Sequence, residues 1–363
     1  MIAEIADDRV HVRLRAAPPV TLHGDACWRT DGNSPVRTTA DGVTVYFSDY
    51  LPRGHTLRRQ GRHGFQFDQA AAPITLTDDP DPLVGKWIEA VWKGPEGLLR
   101  GWYHGEEPAS CPRALFIPHI GALVSADDGL SWRCCGELLR VPPGQFDCAW
   151  ENGFFAGGYG DLCVLPDPAN HALYMFFTSY LLDEDAQGVV VARMVPRPGH
   201  PGWEDLELWC GEGWRPAAGR RPKPLWPQTR GWRHADPQGF WGPAVHYNAG
   251  LGAYVMLLNR TAGGASDLRQ QGIYLSVSRT LEDPTAWSTP LMIVRGGGWY
   301  PQSIGLEAGT GDAQCGAASR FFMAGFSAWQ MEIGPSSGPE ISAPLVPTAD
   351  EFHRQFGARR CPW

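Results

Sequence analysis

The chain alternates short apolar runs with turns that are rich in glycine and proline. Leu173–Ser179 and Ala253–Asn259 are typical runs. Runs of this length fit buried strands better than helices, which need longer periodic segments. The 44 glycines and 32 prolines support this interpretation, because they punctuate short strands and would interrupt long helices. The pattern therefore predicts an all-β fold with no helix longer than a turn or two.

A loose internal repeat of roughly 60–70 residues groups these strands in fours. The repeat fits five regions of the chain, namely residues 34–74, 86–139, 160–209, 242–294 and 299–333. The last copy lacks one strand, and we expect residues 8–15 to supply it by pairing the two ends of the chain. Closing the ring in this way leaves few exposed strand edges. The sequence thus predicts one domain over residues 1–363, a five-bladed β-propeller with four-stranded antiparallel blades.

One turn between two apolar runs has a distinctive sequence. Ser125–Trp132 reads SADDGLSW and resembles the Asp box, a hairpin motif of sialidases and other β-propeller proteins. We expect Asp127 to accept hydrogen bonds from backbone N–H groups of the turn and Gly129 to adopt a positive φ. Trp132 would fold back onto the apolar edge of the blade. The motif therefore indicates a fold, and we do not expect it to be a catalytic site.

Composition limits the partners and the compartment. A net charge of -8 and a pI of about 5.8 disfavour nucleic acid and anionic membranes as partners. No apolar run reaches the roughly 18 residues that span a bilayer. The N-terminus lacks a basic start followed by an apolar stretch, so we expect a cytoplasmic protein, although a removed signal peptide would leave the same sequence. The nine cysteines form no CxxC pair, and buried free thiols are expected. The oligomeric state is left open.

Three carboxylates lie on or just before predicted first strands of blades, which line the central channel of a propeller. They are Asp31, Glu89 and Asp161. A lone carboxylate in an apolar strand is costly unless it is paired or protonated. Carboxylates that converge on one channel push their pKa values apart, which provides one general acid and one base or nucleophile. These three residues are therefore the candidate catalytic groups.

Other polar and aromatic residues near strand ends are candidates for substrate binding. They are His104, Glu106, Trp241, His246, Arg260, Trp299, Tyr300 and Gln302. Trp241, Trp299 and Tyr300 could stack on sugar rings, and the others could form hydrogen bonds with hydroxyl groups. The alternative is structural: tryptophans fill the space between blades, and His104 packs against Trp102 in a solvated turn.

The region around Asp31 resembles the five-bladed propeller glycoside hydrolases, both the arabinanase/xylosidase-like and the levansucrase/invertase-like enzymes. Asp31–Val36 (DGNSPV), followed by Asp41–Ser48 (DGVTVYFS), is similar to the Asp-Pro-x-Val and Asp-Gly-x-Tyr-Tyr layout of that family. The resemblance implies a glycosidase in which Asp31 and Asp161 serve as base or nucleophile and as supporting carboxylate. The chain departs from the pattern at Trp241, where the family often has Glu-Gly-Pro. The acid would then come from Glu89, or from Glu106 or Glu107.

Two other functions remain open at this point. One is a non-catalytic propeller that binds glycans or a protein, since the fold alone does not imply catalysis. The other is a metal-dependent propeller hydrolase or lactonase. The histidines show no HxH or HxxxH spacing, so no metal-binding residues are assigned and no cofactor is expected to be required. An acidic channel could still hold a structural Ca²⁺ without any motif.

Overall fold

A computed structural model describes most of the chain, in the ranges 2–5, 8–23, 30–48, 55–67, 69–168, 171–196, 203–261 and 270–335. Its strands form five separate sheets, each built mainly of neighbouring antiparallel strands. The sheets surround a central axis as the blades of a propeller, which confirms the predicted all-β, five-bladed architecture.

The strands follow the blades in chain order. The chain begins with β1 (Ile2–Ile5) and β2 (Asp8–Thr21). Blade one contains β3 (Val36–Thr39), β4 (Gly42–Ser48), β5 (Thr56–Gly61) and β6 (Ala72–Pro73). Blade two contains β7 (Thr75–Thr77), β8 (Gly85–Lys93), β9 (Leu99–Pro108), β10 (Phe116–Ser125) and β11 (Ser131–Leu139). Blade three contains β12 (Tyr159–Asp167), β13 (Ala172–Ser179), β14 (Gly188–Met194), β15 (Glu207–Trp209) and β16 (Trp214–Pro216).

Blade four contains β17 (Phe240–Asn248), β18 (Ala253–Thr261), β19 (Gln270–Ser278) and β20 (Leu291–Arg295). The C-terminal strands are β21 (Pro301–Gly305), β22 (Gln314–Cys315), β23 (Ala318–Met323) and β24 (Phe326–Pro335). Three single-turn 3₁₀ helices span Glu184–Ala186, Trp203–Asp205 and Pro284–Ala286. No helix in the described ranges is long and apolar enough to cross a membrane. Four of the five sheets have a fifth strand beyond the predicted four, and two short pairs, β7 with β11 and β22 with β17, are parallel where antiparallel pairing was predicted.

Blade five combines strands from both ends of the chain. Its order is β1-β2-β24-β23-β21, so β2 lies beside the last C-terminal strand. The register pairs Val10 with Pro335 and Ala16 with Trp329. This pairing covers the edge that β24 would otherwise expose to solvent.

Apolar side chains fill the spaces between neighbouring blades. Val45 and Phe47 of blade one pack with Ile304 and Phe322 of blade five, and all four are fully buried. Phe176 of blade three packs in the same way with apolar residues of blade four. Each fully buried side chain of this size contributes roughly 1.5–3 kcal/mol relative to an exposed one. The ring is therefore held together mainly by its radial interfaces.

The turn between β10 and β11 has the predicted conformation. The Asp127 carboxylate accepts hydrogen bonds from the backbone N–H groups of Leu130 and Ser131 and from the Ser131 hydroxyl. Gly129 has a φ of +82°, and the Trp132 side chain is fully buried. The Trp132 indole N–H donates to the carbonyl of Gly129 at 3.1 Å. The sequence thus identified a hairpin whose aspartate stabilises the turn.

The cysteines differ from the expectation of buried free thiols. Cys111 and Cys148 form a disulfide bond, which joins the β9–β10 connection to the segment that precedes β12. Cys135 and Cys210 are half-buried, whereas the free thiols of Cys134, Cys163 and Cys315 are buried. The remaining two, Cys27 and Cys361, lie outside the described residues. The expectation was wrong for the bonded pair because two partners separated by 37 residues form no recognisable motif. A cytoplasmic location stays a prediction.

Candidate active site

The innermost strands of blades two and three are interrupted at the same level by single extra residues. In β8, Ile88 pairs with Tyr103 and Ala90 with Trp102, which leaves Glu89 as the extra residue. In β12 the register shifts between Gly160 and Leu162, which leaves Asp161 unpaired with a φ of +48°. A β-bulge of this kind redirects a side chain that regular alternation would place elsewhere. Both bulges therefore carry the predicted carboxylates.

Asp31 lies beside Glu89, just before the first strand of blade one. Its backbone N–H donates to the Ser48 carbonyl at 2.9 Å, which fixes the chain at the start of the blade. The next residue, Gly32, has a φ of +138°, and a Cβ atom there would lie 2.7 Å from Glu89 Oε1. Glycine is therefore required at this position for the two acidic residues to approach each other.

His104, on β9, lies at the centre of the acidic residues. Its Nδ1 atom is 3.6 Å from Glu89 Oε1 and 3.8 Å from Asp161 Oδ1. Its Nε2 atom is 3.7 Å from Glu106 Oε1. The backbone N–H of Asp161 also faces Nδ1, at 3.3 Å. We call the set Asp31, Glu89, His104, Glu106 and Asp161 the carboxylate cluster.

Two tyrosines hold the Asp161 side chain. The Tyr180 hydroxyl donates to Asp161 Oδ2, and the Tyr300 hydroxyl donates to Asp161 Oδ1 at 2.9 Å. Tyr300 itself has a φ of +49°, and its backbone N–H donates to Asn259 Oδ1 at 2.9 Å. Burial, followed by the charge of Asp161, raises the pKa of both tyrosines well above its usual value. Both hydroxyls therefore remain donors to the Asp161 side chain.

The other carboxyl groups of the cluster keep their protons to unusually high pH. Burial, with repulsion from Asp161, raises the pKa of Asp31 to about 7. Burial also raises the pKa of Glu89 to about 7, against the lowering effect of the nearby His104. Burial raises the pKa of Glu106 to about 8, and the charges of Asp31 and Asp161 add to this shift. The site therefore contains groups that can give or take a proton near neutral pH.

These groups differ in their access to solvent. The side chain of Glu89 is completely buried, whereas that of Glu106 is 19% exposed. Asp31 is also half-buried. Glu89 Oε2 accepts from the backbone N–H of Leu162, which fixes the carboxylate inside the channel. Asp31 and Glu106 are therefore the members of the cluster that a ligand at the channel mouth can reach.

Two of the predicted stacking residues lie next to the cluster. Trp241 packs edge-on against Tyr300, with ring centroids 5.4 Å apart, and its indole N–H donates to Gln270 Oε1 at 3.1 Å. Trp241 is almost fully buried, so its ring faces offer little surface to a ligand. Trp299 is half-buried and contacts both Trp241 and Phe154.

The remaining predicted contacts lie outside the cluster. His246 and Gln302 line a separate cavity of about 10 Å³, which has room for roughly one water molecule. Gln302 exchanges hydrogen bonds with the backbone of Ser34, which ties blade five to blade one. Arg260 donates to Gln271 Oε1 at 2.7 Å and lies over the ring of Phe240. The structure thus gives Gln302 and Arg260 contacts within the protein and places His246 in a cavity outside the carboxylate cluster.

Sequence reasoning did not identify the segment that covers the cluster. Phe155 packs on Tyr180, with ring centroids 4.5 Å apart, and lies 6.3 Å from the ring of His104. Asn152 shapes this segment, because its Oδ1 accepts from the backbone N–H groups of residues 154 and 155 and its Nδ2 donates to two carbonyls. We call residues 146–156 the covering segment. The disulfide bond anchors it through Cys148. Its aromatic residues were the only signal in the sequence.

Three side chains of the cluster are close enough together to hold a metal ion. Glu89, His104 and Asp161 offer donor atoms within 4.8 Å of one another. However, both Asp161 oxygens accept from tyrosines, and Glu89 Oε2 accepts from Leu162. His104 Nδ1 faces the N–H of Asp161. Glu89 Oε1 and His104 Nε2 make no hydrogen bond with the described residues, so the cluster keeps donor atoms that could face a cation. The expectation that no cofactor is required stays a prediction.

Solved structures with the same fold cover most of the chain. The catalytic domain of the GH62 α-L-arabinofuranosidase of Coprinopsis cinerea aligns with a TM-score of 0.50 over 90% of this chain and 97% of its own, at 12% identity. The exo-1,5-α-L-arabinanase from a bovine ruminal metagenomic library aligns with a TM-score of 0.50 over 87% of this chain and 96% of its own, at 10% identity. The sequence matches no protein-family profile and no curated protein. At these identities the likeness establishes the five-bladed propeller fold.

Proposed function

We propose that the protein is a glycoside hydrolase that acts on a carbohydrate through carboxyl groups at the mouth of its central channel. One observation carries the proposal: carboxyl groups with different access to solvent surround a buried histidine, and their pKa values lie near neutrality. Glycoside hydrolysis needs such a pair, one group protonated and the other ionised. The solved structures with the same fold include an arabinofuranosidase and an arabinanase, which supports the same reaction class.

Glu106 is our candidate for the general acid. The acid must reach the glycosidic oxygen, and Glu106 is partly exposed, whereas the Glu89 carboxylate is enclosed. Burial keeps Glu106 protonated near neutral pH, as an acid requires. Exposure therefore favours Glu106 over Glu89, the acid that the sequence suggested first. Glu89 then serves to hold His104 and Leu162 in place.

Asp31 is our candidate for the base or nucleophile. It is half-buried at the channel mouth, and its pKa of about 7 leaves a substantial ionised fraction at neutral pH. Asp161, held by two tyrosine hydroxyls, supplies the fixed negative charge that stabilises an oxocarbenium-like transition state. The half-buried rings of Trp299 and Phe154 are the proposed stacking surfaces for the sugar.

A screen with nitrophenyl glycosides and natural oligosaccharides, followed by amide variants, tests the proposal. Glu106→Gln should lower turnover by on the order of 10² or more on any substrate that the parent cleaves. Asp312→Asn is the matched control. Burial also raises the pKa of the Asp312 carboxyl group to about 7, but Asp312 lies outside the carboxylate cluster. Full activity of Glu106→Gln, or an equal loss in both variants, would contradict the assignment of Glu106.

A second function, glycan binding without cleavage, has one observation in its favour. Trp241 occupies the place where the similar enzymes often carry an acidic residue, and its side chain is buried. The same screen separates the two functions. A binding protein would retain an oligosaccharide in equilibrium dialysis and release no sugar over days, whereas an enzyme would release product.

A further inference from the structure

The backbone of Tyr300 has a conformation that its sequence context disfavours. Its φ of +49° lies in the left-handed region, which residues other than glycine seldom occupy. Pro301 follows directly, and a residue before proline favours extended backbone. A strained conformation of this kind persists only where the surrounding structure enforces it, and such residues are concentrated at functional sites. Tyr300 therefore needs a partner that offsets the strain.

Asn259 on β18 is that partner. Its Oδ1 accepts from the backbone N–H of Tyr300 at 2.9 Å, and its Nδ2 donates to the carbonyl of Gly298 at 3.0 Å. One amide side chain thus holds two points of the short segment that leads into β21. Asn259 is fully buried, so bulk water does not compete for either hydrogen bond.

The innermost strand of blade four adapts to this contact. Its register with β18 shifts between Trp241 and Ala244, so it is bulged as β8 and β12 are. The bulge contains Gly242, which has a φ of +59°. A Cβ atom there would lie 3.8 Å from Asn259 Oδ1 and from the ring of Tyr300. Blade four thus has a glycine where the bulges of blades two and three carry acidic residues, and Tyr300 beside it brings a hydroxyl to the cluster instead.

The Tyr300 side chain reaches Asp161 but offers little surface to a substrate. Its hydroxyl donates to Asp161 Oδ1 at 2.9 Å. Tyr300 is only 6% exposed, and the rings of Trp241 and Trp299 pack edge-on against it, with centroids 5.4 and 6.5 Å away. The sequence suggested a ring that stacks on a sugar, whereas this ring is enclosed. The contribution of Tyr300 must therefore pass through Asp161.

We propose that Asn259 and Tyr300 are a positioning pair for Asp161: Asn259 fixes the left-handed backbone of Tyr300, and the Tyr300 hydroxyl then orients the Asp161 carboxyl group. This inference rests on the proposed function for its effect on turnover. Asp161 lies on a bulge with a φ of +48°, so regular strand geometry does not place its side chain. Tyr180 holds Oδ2, and the pair holds Oδ1. The competing interpretation is that Asn259 only stabilises blade four.

Asn248 provides a matched control for Asn259. It is buried on the same pair of strands, and its Nδ2 donates to the carbonyl of Gly316 at 3.0 Å. Its Oδ1 accepts from the backbone N–H of Leu251 at 2.9 Å. Asn248 therefore makes the same two kinds of hydrogen bond, but at the opposite end of the β17–β18 pair. Replacing it should affect stability without reaching Asp161.

The first test does not depend on activity. Asn259→Leu keeps the approximate volume of the side chain and removes the acceptor. In a crystal structure of this variant, Tyr300 should leave the positive-φ region, and its hydroxyl should lie beyond hydrogen-bonding distance of Asp161. Both features should be unchanged in Asn248→Leu. An unchanged Tyr300 in Asn259→Leu would overturn the proposal. If Asn259→Leu does not fold, Asn259→Ala removes the same acceptor and is judged in the same way.

The second test uses turnover of a substrate found in the screen. Tyr300→Phe removes one oxygen atom and should lower kcat on the order of 10-fold or more, with KM changed by less than about threefold, because the lost hydrogen bond does not touch the substrate. Asn259→Leu should cause a similar loss of kcat, and Asn248→Leu should keep the kcat of the parent. A raised KM with an unchanged kcat in Tyr300→Phe would indicate a substrate contact and contradict the proposal.

The double variant of Asn259→Leu with Tyr300→Phe separates the two interpretations of Asn259. It should lose no more turnover than Asn259→Leu alone, because both changes act through the same hydroxyl. Losses that add up would show that Asn259 acts by another route and would overturn the pairing. If the parent cleaves no substrate, the glycosidase proposal fails, while the crystal structures of the variants still decide whether Asn259 places Tyr300.

Discussion

The turn at Asp127 and the carboxylate cluster use the same chemical group in opposite ways. Asp127 is exposed, and hydrogen bonds from Ser131, Ser125 and Leu130 hold its pKa well below the usual range. Asp31 and Glu106 lie in the channel, where burial raises their pKa values to about 7 and about 8. The first environment favours the charged form, and the second favours the neutral form.

The difference follows from the donors that surround each group. The turn offers backbone N–H and hydroxyl groups to every side of Asp127, so the carboxylate gains hydrogen bonds by losing its proton. In the channel, the tyrosine hydroxyls donate to Asp161. Tyr300 also lowers the pKa of Asp31, but burial and the neighbouring acidic groups raise it more, and Glu106 lies near Asp31, Asp161 and His104. An acidic residue that stabilises a turn and one that moves protons can therefore be told apart by what donates to it.

The largest expected effect is on turnover. Asp31→Asn should lower turnover by on the order of 10² or more, because it removes the proposed base while keeping the shape of the side chain. Asp127→Asn should leave turnover per folded molecule unchanged, since Asp127 lies on the outer hairpin of blade two. Initial rates on the best substrate from the screen would measure both. A loss of turnover in Asp127→Asn at an unchanged melting temperature would contradict the proposed difference between the two aspartates.

Cutting the disulfide bond should loosen the covering segment. Cys111→Ser with Cys148→Ser should lower the free energy of unfolding by roughly 2–4 kcal/mol. Water would then reach Glu106 more easily, its pKa would fall, and the alkaline limb of the pH profile would move down. Denaturant unfolding and the pH profile measure the two effects. An unchanged alkaline limb would show that burial under this segment is not the cause of the raised pKa.

Glu106→Gln should stabilise the fold at alkaline pH. The folded-state pKa of Glu106 is about 8, above its ordinary value. The protonated carboxyl group therefore contributes to the free energy of unfolding fully below about pH 4.5, and this contribution is lost as the pH rises through 8. The amide stays neutral and escapes this loss. We expect a gain on the order of 1–3 kcal/mol at about pH 8.5, reduced by the partial exposure of the side chain, and none near pH 4. Denaturant unfolding at the two pH values measures whether Glu106→Gln raises or lowers the free energy of unfolding.

Asp127→Ala should have the smallest effect on stability, and it should destabilise the fold, whereas Glu106→Gln should stabilise it. Loss of the hydrogen bonds to the turn should lower the free energy of unfolding by roughly 1–2 kcal/mol at pH 7. Because the folded-state pKa of Asp127 is lowered, its contribution is present above about pH 4 and is lost as the pH falls. The difference between variant and parent should therefore shrink in acid. A constant difference from pH 7 to pH 3 would show that the charge of Asp127 does not stabilise the turn.

The sequence predicted the strands and which acidic residues lie on them. It did not predict the bulges, the burial and the long-range partners of these residues. The short apolar runs and the Asp127 turn depend on local chemistry, so their interpretation held in the structure. The bulges at Glu89 and Asp161 depend on pairing with a neighbouring strand, which periodicity does not show. β9 continues to Pro108, beyond the expected end at His104, so His104 lies within the strand, and its side chain is buried.

Long-range partners explain the rest of what the sequence could not provide. The hydroxyl of Tyr300 reaches Asp161 across 139 positions of the chain. The disulfide bond and the covering segment likewise join elements whose proximity only the folded ring creates. These contacts decide which carboxyl group is enclosed and which is accessible, and hence which one is assigned as the acid.

A carboxyl ¹³C titration of the folded protein tests most directly whether Asp31 and Glu106 keep their protons near neutral pH. Protein labelled at the side-chain carboxyl carbons of Asp and Glu would be titrated from pH 3 to pH 9, with signals assigned from Asp31→Asn, Glu106→Gln and Asp127→Asn. We predict that the signals of Asp31 and Glu106 change near pH 7 and pH 8, while that of Asp127 shows an ionised group throughout. Titration of Asp31 and Glu106 below pH 5, together with Asp127, would contradict the account.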